Sequence, residues 1–273
     1  MKDRIVVTTD FSKNSLTSLT KAMYLAKRWK CTLDIVHIVE HSIFRNPKKD
    51  KKAGKEALAK FIADHFPTPE VEIAQFCYVG VIYKEIQKHA KSRECRLLVI
   101  AAAGETQHLT EVLLGSVAKR IVRKSQIPVL VTKDESLPDY ASIFSPTDFS
   151  ENSLKTAKAT RKFFPSTNLI FYHMIARPFE LRLGHYGADD EQIANFNKDS
   201  EAKAKEYSKK FLKNFSGQVE MVLDSGILSY TRLLSVAKSK NASLIALPTS
   251  GKISFFALDV LQNSSIDVFL CKF

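Results

Sequence analysis

One phrase occurs twice in the 273 residues: Thr9-Asp10-Phe11-Ser12-Lys13-Asn14-Ser15-Leu16 near the start, and Thr147-Asp148-Phe149-Ser150-Glu151-Asn152-Ser153-Leu154 past the middle. Each copy follows an apolar run, Ile5-Val6-Val7 or Ile143-Phe144, and leads into an amphipathic segment. That order reads as strand, tight loop, helix. Its recurrence at equivalent places calls for two copies of one fold in one chain. The expected modules are residues 1–134 and 139–273, joined by a polar linker, Lys133 to Tyr140, marked by Pro138.

Strands and helices alternate along both modules. Arg4 to Thr9 and Leu97-Leu98-Val99-Ile100 are continuously apolar, the pattern of strands covered on both faces in a parallel sheet. Ser12 is placed to cap a helix carrying Leu16, Leu19, Met23 and Ala26 on one face. A lysine-rich loop, Lys48 to Lys55, should lead into a helix with the stripe Leu58, Phe61, Ile62 and His65. A further helix should present Leu114, Val117, Ala118 and Ile121 together. Trp29 is expected in the core. Alternating strands and helices predict an α/β class with parallel sheets and right-handed crossovers. Between Ala176 and Asp190 lies extra sequence, Leu183-Gly184-His185-Tyr186-Gly187, which reads as a surface loop.

The formal net charge is +12, concentrated in the first half by the lysines at 48, 49, 51, 52 and 55. They have no interleaved aromatics, so they read as a solvated surface and nucleic-acid binding is not predicted. No apolar run approaches the roughly 18 residues that span a bilayer. Met1-Lys2-Asp3-Arg4 enters a strand with no apolar leader, so no membrane role and a cytoplasmic location are expected. Cys31, Cys77, Cys95 and Cys271 are dispersed and form no Cys-x-x-Cys pair. They read as reduced, buried thiols, and no metal is predicted. His37 and His173 recur at matching strand positions, which a shared packing role explains more simply than acid/base or metal chemistry.

The set Thr9-Asp10-Phe11-Ser12, Ile35-Val36-His37-Ile38-Val39-Glu40 and Leu113-Leu114-Gly115-Ser116-Val117-Ala118, running on to Ile127-Pro128-Val129-Leu130-Val131, resembles the universal stress protein family. The resemblance covers essentially the whole chain as a tandem pair. It implies two Rossmann-like five-stranded parallel sheets with helices on both faces. It further implies a pseudo-dimer formed through the last strands, here Val129 to Val131 and Val268 to Leu270, with a further homodimer left open.

Some members of that family bind ATP through a glycine loop after the fourth strand, where backbone N–H groups and a helix N-terminus meet the phosphates. Counted back from Gly115-Ser116, the loop's two leading glycine positions fall on Ala102 and Glu105. A carboxylate there repels a triphosphate by roughly 1 to 4 kcal/mol per charge pair at about 4 Å. In another register Gly104 is the first glycine, but Gln107 then fills the second place and the loop is two residues short. In the second module Gly251 is the lone glycine of this stretch, and Ser254-Phe255 stands where Gly115-Ser116 stands in the first. The phosphate loop there is degenerate.

The resemblance places Asp10 and Asp148, after Thr9 and Thr147, beside an adenine whose edge the strand ends at Val39 and Ile175 would read. Asp10 and Asp148 equally suit a loop-ordering role as backbone acceptors. Candidate ligand-binding residues are therefore Thr9, Asp10, Val39, Ala102, Gly104, Glu105, Gly115, Ser116, Val117, Thr147, Asp148 and Ile175. The expected ligand is ATP or AMP, weakly held in the first module of a stress-response regulator that is not an enzyme. The alternative is a nucleotide-free scaffold with protein partners the sequence does not name. ATP hydrolysis or self-phosphorylation at Ser116 is disfavoured because no histidine base or metal carboxylate set accompanies it.

Overall fold

The computed structural model describes residues 3–40, 46–102, 114–176, 190–249 and 254–272. The chain divides into two compact units: Met1–Asp139 with Thr249–Ser254 and Leu261–Lys272, and Tyr140–Pro248 with Phe255–Val260 and Phe273. In order, the elements are β1 (Arg4–Thr9), α1 (Lys13–Trp29), β2 (Thr32–Glu40), α2 (Pro47–His65), β3 (Ile73–Gly80), α3 (Ile82–Ser92), β4 (Leu97–Ala101), α4 (Ser116–Lys124) and β5 (Val129–Thr132). They continue with β6 (Ser142–Pro146), α5 (Glu151–Phe163), β7 (Asn168–Ala176), α6 (Asp190–Leu212), β8 (Val219–Gly226), α7 (Tyr230–Ser239), β9 (Leu244–Thr249), α8 (Phe255–Asn263) and β10 (Asp267–Lys272).

In the first unit the sheet order is β3-β2-β1-β4-β5-β10. The first five strands are parallel. β10 runs antiparallel to β5, with Val268 opposite Val131 and Leu270 opposite Val129, the segments the resemblance singled out. Ile5, Val6 and Val7 are fully buried because helices cover both faces. α1 packs on β1, β2, β4 and β5, and α2 on β2 and β3. Right-handed crossovers put α3 and α4, which touch each other, on the opposite face. The second unit repeats the arrangement with the order β9-β6-β7-β8, all parallel among β6, β7, β8 and β9.

Local chemistry sets the element ends. Ser12 caps α1 by accepting from the Ser15 N–H at 3.1 Å, and Ser150 does the same for α5 through Ser153 at 3.3 Å. Lys30 ends α1 in the left-handed region, φ 51°, its N–H bonding back to the Ala26 and Lys27 carbonyls.

Four expectations are corrected. The lysine-rich stretch is helix rather than loop: Asn46 accepts from the Lys48 and Lys49 N–H groups, Pro47 takes the first turn, and the lysines are solvated on α2. Its buried stripe is Gly54, Leu58 and Ile62, with His65 exposed. In α4 the buried face is Ala118, Ile121 and Val122, whereas Val117 points outward, 42% exposed. Trp29 is half-buried, with the Arg96 guanidinium 5.0 Å above its ring. The loop expected between Ala176 and Asp190 lies outside the described residues. All four cysteines are free and buried, as their apolar settings suggested.

Candidate functional site

A crevice forms in an open parallel sheet where the strand order reverses, outside the carboxyl ends of the strands. Here that point lies between β1, whose chain continues to β2, and β4 on its other side. Thr9 and Asp10 follow β1, and Ala102 follows β4. Thr9 pairs with His37, so β2 runs on through Ile38, Val39 and Glu40 beyond the end of β1 while still pairing with β3. Among the described residues the side of that overhang turned towards β1 has no strand partner, which leaves backbone groups directed at the crevice.

The loop from β1 to α1 is held from several directions. Thr9 Oγ1 accepts from the Phe11 N–H at 3.0 Å and shares a 3.0 Å bond with Ser15 Oγ. Asp10 Oδ1 accepts from the Ser12 N–H at 3.1 Å and from the Ser12 hydroxyl at 2.5 Å. Phe11 takes φ 67°, unusual for a bulky residue, and its ring lies 4.2 Å from the His37 imidazole, whose Nδ1 bonds the Thr9 carbonyl at 2.9 Å. Burial alone would raise the Asp10 carboxyl, but the bonds from Ser12 and Ser15 outweigh it and hold the group below the usual carboxylate value.

The second unit reproduces this loop. Thr147 Oγ1 accepts from the Phe149 N–H at 3.0 Å, Phe149 takes φ 62°, and His173 Nδ1 bonds the Thr147 carbonyl at 2.8 Å with its ring 4.2 Å from Phe149. Asp148 Oδ1 accepts from the Ser150 N–H at 3.0 Å and the Ser153 hydroxyl at 2.5 Å. Burial raises this carboxyl too, and the serine bonds again bring it net downward. β7 overhangs β6, which ends at Pro146 opposite Tyr172; Ile175, buried, lies in the overhang. Both histidines thus serve packing and loop bonding.

At the head of α4, the Gly115 N–H donates to the Ala102 carbonyl at 2.8 Å, and the Ala102 N–H donates to the Thr132 carbonyl at 3.1 Å. Gly115 is the N-cap residue and supplies no side-chain cap, while Ser116 and Val117 are exposed. Among the described residues the first turn of α4 has no side-chain cap and presents its positive dipole end. Thr9, Asp10, Val39, Ala102, Gly115, Ser116 and Val117 all belong to elements meeting at this sheet edge. Gly104 and Glu105 lie outside the described residues. In the second unit Phe255, 87% exposed, opens α8 where Ser116 opens α4.

Sequence reading missed a buried ionic cluster at the other, amino-terminal ends of the strands. Asp34 accepts from Arg4 Nη1 at 2.9 Å and Arg93 Nε at 3.1 Å, and His89 Nε2 lies 3.0 Å from its Oδ2. The Tyr78 hydroxyl sits 2.9 Å from His89 Nδ1. Burial would raise Asp34, but His89 and Arg93 bring it net down; burial pushes the adjacent Cys95 thiol up to about 12. Asp34, His89 and Cys95 are close enough to hold a metal ion. The carboxylate is already engaged by two guanidiniums and both His89 nitrogens have partners, so the group works as an ion-pair anchor.

Order reversal at β1 and a Thr-Asp-Phe-Ser turn of the same geometry in both units define a doubly wound α/β protein with a crevice at the carboxyl ends of its strands. Residues 1–133 match the universal stress protein family. Universal stress protein MJ0531 of Methanocaldococcus jannaschii is 31% identical over 142 residues, covering 48% of this chain and 81% of that protein. Universal stress protein YxiE of Bacillus subtilis is 28% identical over 151 residues, 49% of this chain and 100% of the relative. The chain belongs to the universal stress protein family. The crystal structure of a universal stress protein from Archaeoglobus fulgidus shares the fold over 100% of this chain and 99% of that one, with TM-score 0.71 and 16% identity.

Proposed function

We propose that the chain is a stress-response regulator whose first module, residues 1–134, takes up ATP or AMP as a regulatory ligand with a weakened hold on the phosphates. The observation that carries this reading is the bond from the Gly115 N–H to the Ala102 carbonyl. It sets the end of β4 beside the N-terminus of α4, a setting that favours a bound anion. The β2 overhang at Val39 supplies backbone groups for a base edge, and Asp10 stands at the end of β1. The weakening is attributed to Ala102 and Glu105 in place of glycines. The module at 139–273 lacks the corresponding glycines and opens its last helix with an exposed Phe255, which argues against a triphosphate there. No residue at the crevice is assigned a chemical step.

A nucleotide-free scaffold is the second reading. It is favoured by the way each aspartate spends Oδ1 on serines of its own loop, Asp10 on the N–H and hydroxyl of Ser12, Asp148 on the Ser150 N–H and the Ser153 hydroxyl. Among the described residues no helix is long and apolar enough to cross a membrane. Four free, buried thiols suit a reducing compartment, in keeping with a cytoplasmic location. The test is mass spectrometry of small molecules released from freshly purified, denatured protein, followed by calorimetric titration with ATP and AMP. Recovery of an adenine nucleotide supports the first reading; an empty release with no titration heat supports the scaffold.

A further inference from the structure

A cavity of about 190 Å³ lies between α3 and α4, on the face of the first sheet away from α1 and α2. Leu98 of β4 lies beneath it, Ile86 and Ala90 enter from α3 and Ile121 from α4, and Tyr83 and Lys91 complete the lining used here. Its size is close to that of the roughly 150 Å³ apolar cavity that accepts a benzene ring. The Gln87 side-chain amide donates to the Lys124 carbonyl, pinning the two helices across the cavity so that the space is preformed.

The two helices beside the cavity are strongly basic. α3 carries Lys84, Lys88 and Lys91, α4 carries Lys119, Arg120, Arg123 and Lys124, Glu85 is the one carboxylate on either helix, and Lys91 is in the lining itself. Lys84, Lys88, Lys91 and Lys124 are exposed and form no ion pair among the described residues. The Arg120 guanidinium lies 5.7 Å from the ring centroid of Tyr83, a lining residue. A largely apolar slot with Lys91 in its lining, between two helices rich in lysine and arginine, matches a ligand that is apolar at one end and anionic at the other.

We propose that this slot binds a small amphiphilic carboxylate, with an apolar body of about six to eight carbons over Leu98 and its head group at Lys91. The site is separate from the crevice at the strand ends and does not depend on nucleotide binding.

The test follows the methyl resonances of Ile86, Leu98 and Ile121 in the full chain during titration with octanoate, octanol and octyltrimethylammonium. Octanoate is expected to give saturable shifts and to bind about fivefold more tightly than octanol, the ratio one cation near 4 Å supplies in a wet site. Lys91→Glu, a surface change, should bring octanoate binding down to the level of octanol or below. Ala90→Leu should fill the slot and abolish the response to both, with the Leu33 and Ile35 methyls reporting an intact sheet. If that variant does not fold, Lys91→Glu decides alone. Absence of saturable shifts, equal response to the three head groups, or unchanged octanoate binding by Lys91→Glu overturns the proposal. So does binding of a Glu-Leu-Leu-Glu peptide at these methyls without octanoate binding, which would assign the slot to a protein partner.

Discussion

Lys21 and Asp267, 246 residues apart in sequence, meet in a 2.6 Å ion pair whose side chains are 2% and 1% exposed. The same ammonium bonds Asp134 Oδ1 at 2.7 Å, and Asp267 Oδ1 accepts from the Lys133 N–H at 2.7 Å. The stretch read from sequence as a linker is therefore anchored to α1 and to the start of β10. Lys21→Met removes the ammonium bonded to the buried Asp267 Oδ2, and breaking such a pair costs about 3–5 kcal/mol. Adding Asp267→Asn, which keeps an acceptor for Lys133, should recover more than half of that loss. Urea unfolding of the two single variants and the double variant measures the coupling. A Lys21→Met cost below about 1 kcal/mol would show that the pair does not hold this region together.

Lys133 gives a pH dependence of opposite sense to an ordinary salt bridge. Its ammonium lies 3.5 Å from the Gln262 carbonyl, and burial pushes it down from 10.5 to about 8 despite the attraction of Asp267. Between those two values the unfolded chain holds a proton that the folded chain has released. Stability contributed by this group therefore rises as pH goes from about 8 to about 10.5, and the penalty is complete below about 8. At neutral pH the penalty is on the order of 3 kcal/mol. Lys133→Met should stabilise the protein at neutral pH and flatten the rise. Urea midpoints for both proteins across this range read the difference, and parallel curves would exclude the effect.

What could be read in advance followed from local pattern. Parallel strands covered on both faces leave unbroken apolar runs, so Ile5-Val6-Val7 and Leu97-Leu98-Val99-Ile100 are legible as strands, and the repeated Thr-Asp-Phe-Ser turn marks both loops in the sequence. The start of α2 was misread because five lysines look like a loop, although Asn46-Pro47 carried a cap and first-turn signal. Val117 was misplaced by one helical face because apolarity alone was taken for burial. The networks around Lys21 and Asp34 were illegible, since their partners lie far away in sequence. The clues were a lysine beside Ala22 on the buried face of α1 and an aspartate inside the apolar run of β2.

Gly54 offers a test of packing against helix propensity. A Cβ at this mid-helix glycine would stand 2.7 Å from Cys77 Sγ and 3.1 Å from Val39 Cγ2. Alanine should gain about 1 kcal/mol as a helix former, whereas overpacking a tight site costs about 1–3 kcal/mol. Gly54→Ala is therefore expected to destabilise, and Gly54→Ala with Cys77→Ala to recover most of the loss. Thermal melts of the pair decide; a more stable single variant would mean that α2 shifts away from β3 at little cost.

Asp10 and Asp148 separate loop architecture from ligand binding, because each accepts from serines of its own loop while the proposed ligand belongs to one of the two. Asp10→Asn and Asp148→Asn each keep an Oδ1 acceptor for the serine N–H and hydroxyl, so each should cost no more than about 1 kcal/mol in urea unfolding. Under the proposed assignment, Asp10→Asn weakens ATP or AMP uptake in calorimetry and Asp148→Asn leaves it unchanged. Ala102→Gly with Glu105→Gly should tighten ATP binding by restoring close approach and removing a repelling charge, about fivefold or more for a charge pair worth roughly 1 kcal/mol. Equal loss from both asparagine variants would move the ligand out of the first module alone. No gain from the glycine pair would refute the register that puts Ala102 and Glu105 at the phosphates.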